Sequence, residues 1–132
     1  MDFLRPHADK IYAAMRILTG LLFVQHGLQK IFGLFGGAPE GAPGFIVYGA
    51  GGVELVGGAL VAIGWFTGPA AFISSGTMAF AFLLGHVVQK GSLLPILNGG
   101  DLPILYCWIF LLIAAKGSGV WSVDSAGNAS AE

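Results

Sequence analysis

The chain has 132 residues, of which 55% are hydrophobic and only 10% charged, against about a quarter charged in an ordinary soluble domain. That leaves too little polar surface to cover a globule in water; the apolar content excludes a disordered chain and the single cysteine a disulfide scaffold. Six basic residues against seven acidic ones offer no positive field to nucleic acid, so insertion into a bilayer is the class that fits.

Four apolar blocks follow in chain order, at 11–32, 45–64, 69–88 and 102–115, and about 20 residues suffice to cross the hydrocarbon as a helix. The last block is the shortest, with apolar residues at 93–97 just before it and Trp121 beyond it to set its lower end. The blocks are long and continuous with no period-two alternation, which selects helices over strands. The 22 glycines let helices approach closely in lipid. Breakers separate the blocks: a Gly/Pro-rich loop at 33–44, a tight turn at 65–69, and a segment at 91–100 containing Pro95 and Asn98-Gly99-Gly100. Asp101 is placed to cap the last helix, with Pro103 in its first turn. The first block is too long for a cleaved signal peptide and holds Arg16, Gln25 and His26. The predicted architecture is therefore all-α, an integral-membrane four-helix bundle over 1–124 with a disordered tail at 125–132. Four spans put both termini on one side. Arg5, Lys10, Arg16 and Lys116 lie on that side against Lys30 and Lys90 opposite, which makes it the cytoplasmic side of a cell inner (plasma) membrane. Tyr12, Trp65 and Trp121 then fall at the same interface as aromatic anchors.

Ionisable side chains inside spans are costly and mark sites. On the first helix Arg16, Thr19, Phe23, His26 and Lys30 share one narrow stripe at about 100° per residue. On the second, Ala50, Glu54, Gly58 and Ala62 recur every four residues and place a carboxyl near mid-span, on a face suited to close helix contact. On the third, Ser75, Ala79, Phe82, His86 and Gln89 form a mixed stripe; Asn98 and Asp101 stand before the fourth. The expected result is a polar cavity with Glu54 at its floor. Each residue also has a plainer reading. Arg16 and Lys30 can snorkel to opposite interfaces, Glu54 can be a protonated glue group between helices, His26 and His86 can be packed and hydrogen-bonded, and Cys107 is an apolar filler without a partner thiol.

Four stretches are familiar: His26-Gly-Leu-Gln-Lys30-Ile-Phe-Gly33 closing the first helix; Glu54-x-x-Gly57-Gly58 followed by Gly64 and Thr67; Asn98-Gly99-Gly100-Asp101; and Gly117-Ser-Gly-Val-Trp-Ser-Val-Asp124. Together they resemble the DoxX family of small four-helix membrane proteins, across nearly the whole chain. Asp101 stands where the family often has Glu, and Ser118 where it usually has Pro. The resemblance implies a role in membrane oxidoreductase systems, including quinone-linked ones.

On this reading the chain is a subunit that binds a quinone in the polar cavity. Glu54 and His26 are the candidate catalytic residues, and Lys30, His86, Arg16, Asn98 and Asp101 the candidate ligand-binding ones. Glu54 could relay protons while the cations donate to the quinone oxygens. No CxxC, flavin or haem-attachment motif is present, so electrons must come from a redox partner protein or the quinone itself. A haem held between His26 and His86 is disfavoured, and no metal is expected. Two other classes stay open: a non-enzymatic anchor or assembly subunit for soluble redox enzymes, and a small-solute transporter. A chain this short without inverted repeats would transport only as a homo-oligomer.

Overall fold

A computed structural model describes residues 1–129, and every regular element among them is helical. Helix α1, Ala8–Phe32, is entered through a single 3-10 turn at Arg5–His7 and ends at Gly33. Helix α2, Phe45–Ile63, begins with a π-helical stretch at Phe45–Ala50. Helix α3, Thr67–Val88, ends with a second π-helical stretch at Leu83–Val88. Helix α4, Asp101–Lys116, follows a one-turn helix at Pro95–Asn98. A short helix, α5, closes the described chain at Val123–Ala129. The first three long helices, of 28 residues with the 3-10 turn, 19 and 22, are long and apolar enough to cross a membrane. Helix α4 has 16 residues.

The four long helices pack as two pairs. Helix α1 lies mainly on α2, α3 mainly on α4, and the backbones of the two pairs come closest between α2 and α3, while α1 and α4 meet through large side chains. Small residues make the first pair tight: a Cβ added to Gly58 would stand 2.8 Å from the Gly20 carbonyl oxygen and 2.9 Å from the Val24 nitrogen. Backbones so close gain dispersion along their whole contact, which is how helices associate where lipid removes the hydrophobic drive. Between the pairs Phe23, Tyr106 and Phe110 form an aromatic core, with ring centroids 4.6 to 5.8 Å apart. The buried residues of α4 are Pro103, Tyr106, Phe110 and Ile113, one face at helical spacing.

Where α1 begins and α4 ends, residues 117–124 are sewn to three helices. Tyr12 Oη donates to the Gly117 carbonyl at 2.6 Å. The Arg16 guanidinium donates to the carbonyls of Val61, Ala62 and Trp121 at 2.6 to 2.8 Å and of Val120 at 3.4 Å. Asp124 accepts from the Phe66 and Thr67 backbone N–H groups and from the Thr67 hydroxyl, at 2.8 to 3.1 Å. A carboxylate from the far end of the chain thus caps the N-terminus of α3, where free N–H groups and the helix dipole favour negative charge. Partial burial pushes the Asp124 carboxyl up, but the bonds from Thr67 and Phe66 and the charge of Arg16 outweigh it and hold the group below its ordinary value. Gly64 makes the crossing possible. It ends α2 at φ +71°, and a Cβ there would lie 2.3 Å from Ser122 Cβ.

Two expectations need correction. Asp101 does not cap α4: Gly100 is the N-cap, and its N–H is taken by the Asn98 side chain. Asp101 is the first helical residue and is exposed, one position too far along for its carboxylate to turn back as a cap. The tail expected to be disordered over 125–132 is helical to Ala129, because Asp124 and Ser122 anchor its start; residues 130–132 lie outside the described residues.

Candidate functional site

The stripe on α1 faces inward along its whole length. Arg16, Thr19 and Phe23 are buried, and His26 and Lys30 half-buried. Its two ends meet different surroundings. Lys30 reaches across to α2 and ion-pairs with Oε1 of Glu54. The Glu54 side chain is only 2% exposed against 19% for Lys30, so the carboxylate is interior and the ammonium sits at a boundary. Neutralising each other is what makes two such charges tolerable away from water. The second oxygen, Oε2, has no hydrogen-bond partner among the described residues.

Beside this pair lies a cavity of about 170 Å³ to which all four long helices contribute. Helix α1 supplies Phe23, His26 and Lys30, α2 supplies Glu54, α3 supplies Met78, Ala81 and His86, and α4 supplies Leu102, Pro103 and Tyr106. The His26 ring stands edge-on to Tyr106, at 89° and 6.1 Å between centroids. His86 is held from the loop: its Nδ1 lies 3.0 Å from the Asn98 carbonyl oxygen. The π-helical stretch explains how His86 arrives. On an ideal α-helix Met78 and His86 would point about 80° apart at 100° per residue. The wider turn at Leu83–Val88 advances less per residue and brings both onto the same cavity.

A second, larger cavity of about 1000 Å³ opens between the π-helical start of α2 and the π-helical end of α3. Its walls are mainly apolar, among them Phe45, Ile46, Val53, Phe80 and Leu84, with the loop 39–43 along one rim. Lys30, Ala81 and His86 line both cavities. The two spaces therefore share a wall: a small chamber beside the ion pair behind, a large apolar cleft in front, and Lys30 and His86 between them.

The structure brings together Glu54, His26, Lys30 and His86. The other three candidates lie apart from that chamber. Arg16 is at the opposite end of α1, wholly buried, with four carbonyl partners. Asn98 borders the large cleft, but its side chain closes the loop, donating to the Ser92 carbonyl at 2.9 Å and accepting from the Gly100 N–H at 2.7 Å. Asp101 lines neither cavity. Among the described residues no group of three or more His, Cys, Asp or Glu side chains is placed to hold a metal ion.

The sequence model of the DoxX family matches residues 11–87, more than half of the chain. The chain belongs to the DoxX family. With three helices able to cross a bilayer it is a membrane protein. It is 37% identical to an uncharacterized protein of Haemophilus influenzae, over 95% of this chain and 96% of that one. It is 29% identical, over 83% of this chain and 81% of the other, to a Bacillus subtilis protein named "Putative oxidoreductase CatD". No solved structure matches.

The DoxX match takes in His26, Lys30, Glu54 and His86 and stops before α4. Tyr106, which closes the chamber from that helix, is not among the candidates the sequence suggested. Its signal was the face Pro103, Tyr106, Phe110 and Ile113, whose spacing puts the one hydroxyl of the helix inward. The π-helical stretches left no sequence signal.

Proposed function

We propose that this DoxX protein is an integral-membrane subunit of an oxidoreductase system and that its chamber receives the head group of a quinone-type ligand. In this reading α4 is a fourth span, both termini face the cytoplasm, and the protein lies in the plasma membrane. At 1.5 Å per residue α4 covers about 24 Å of a core about 30 Å thick. The exposed Leu93, Leu94, Ile96 and Leu97 before it extend the apolar length.

One observation carries the proposal: a small chamber holding a buried ion pair and two imidazoles shares Lys30 and His86 with a large apolar cleft. A quinone has this division, a flat head with polar oxygens and an apolar tail. A volume near 1000 Å³ is at the upper end of those that take small ligands. The aromatic wall of Phe23 and Tyr106 suits a ring, and Lys30 can donate to an oxygen. The name given to the Bacillus relative, an oxidoreductase, supports the redox assignment, and in this reading the electrons are supplied by a partner protein.

The test is binding of a short-tailed benzoquinone to the protein in lipid nanodiscs. Glu54→Gln and His26→Ala are each expected to weaken binding by about tenfold, the loss of one good polar contact, while the protein inserts normally. If both variants bind as the wild type does, the chamber is not the site.

A further inference from the structure

Resting on the reading just given, we propose that the chamber selects the hydroxyl form of its ligand, a hydroquinone or phenol, over the carbonyl form, and that His86 makes the choice. The imidazole is fixed on one side by Asn98. A backbone carbonyl can only accept, so the 3.0 Å contact requires the hydrogen of His86 to sit on Nδ1. A neutral ring so oriented carries a lone pair on Nε2. Among the described residues Nε2 has no partner, and His86 lines both cavities. Lys30 lines the same two cavities and spends one of its three N–H groups on Glu54.

The space in front of these groups thus offers one fixed acceptor and one cationic donor. A hydroxyl answers both, because its hydrogen goes to Nε2 while its oxygen accepts from the ammonium. A quinone carbonyl answers Lys30 alone and faces the His86 lone pair with its own, leaving a desolvated acceptor unpaired. An ether oxygen has the same deficiency, which makes the methyl ether of the hydroquinone a control of nearly the same shape. Selectivity built on a missing hydrogen is stronger than selectivity built on a missing methylene, since the unpaired group stays behind in the site.

The experiment compares three ligands on the full chain in nanodiscs under argon: a short-tailed hydroquinone, its dimethyl ether and the corresponding benzoquinone. The hydroquinone is expected to bind tighter than the other two by about tenfold or more. His86→Phe should abolish the preference, lowering the hydroquinone's affinity and raising that of the quinone and the ether, because the acceptor they leave unpaired is gone. His86→Gln, whose amide oxygen can accept the same hydrogen, should restore part of the preference. A quinone or ether that binds as tightly as the hydroquinone to the wild type overturns the preference and leaves the quinone-type site standing. A preference that persists in His86→Phe overturns the assignment to His86. If none of the three binds, the function proposed above falls, and this inference with it.

Discussion

Two cations on one helix face make opposite use of their charge. Arg16 and Lys30 lie on the same stripe of α1, fourteen residues apart. The Arg16 guanidinium is fully buried and spends itself on four backbone carbonyls, joining the end of α2 to the C-terminal segment, with only Nε unpartnered. Lys30 has one carboxylate partner, stands half-buried, and borders two cavities. Burial of a charge is thus not what separates a site from a staple. The difference lies in unspent hydrogen-bonding capacity next to open space: the planar fork of Arg is suited to closing several carbonyls at once, while the ammonium of Lys keeps donors free.

The sharpest way to break the comparison is Arg16→Leu. It leaves the carbonyls of Ala62 and Trp121 without that donor and the Val61 carbonyl with only the Gly64 N–H. A loss of about 2–5 kcal/mol in stability is expected, at about 1–3 kcal/mol for each acceptor left unpaired. It should be read as a fall in thermal midpoint in detergent, with ligand affinity of the folded fraction unchanged. A variant that keeps its stability but loses ligand would move Arg16 from staple to site. The smaller effect belongs to the other end. Lys30→Met strands the Glu54 carboxylate and should cost about 1–3 kcal/mol. Adding Glu54→Gln should recover most of that, since a neutral pair has no uncompensated charge. If the double variant is no better than the single, the two side chains are not coupled as described.

The smallest expected effect is Asp124→Asn, which weakens the cap on α3 and should cost about 1 kcal/mol. Its sign with pH is set by the lowered folded value. The contribution is complete above the unfolded carboxyl value of about 3.9, and is lost as pH falls through the folded value. The acid side of the stability profile should therefore flatten in the variant, which above the unfolded value runs parallel to the wild type and about 1 kcal/mol below it. A pH profile parallel to that of the wild type on the acid side as well would show that the carboxylate charge does not hold the cap.

Much of the architecture was legible in the sequence. The stretches 11–32, 45–64, 69–88 and 102–115 each fall on one long helix, because a run of apolar residues between Gly/Pro-rich segments leaves little other choice in lipid. The stripe from Arg16 to Lys30 and the mid-helix position of Glu54 follow from helical spacing alone. The partners of Arg16 and Asn98 were not legible, because both are used up on backbone carbonyls and N–H groups, which every residue carries and no pattern of side chains reveals. Tyr106 was hidden in an apolar run, and the π-helical turns that aim His86 and widen the cleft depend on how the whole bundle closes.

By itself, the sequence determined that the chain is helical, lipid-soluble and furnished with more interior charge than a bilayer tolerates idly, since composition and period are local properties. Only the tertiary structure decided how those charges divide. It paired Lys30 with Glu54, bound Arg16 to the C-terminal segment, and left His86 with one nitrogen held and one open. Each of those outcomes depends on which backbone atoms of a distant element come within about 3 Å of a donor, a quantity fixed by the docking of helices and absent from any one of them.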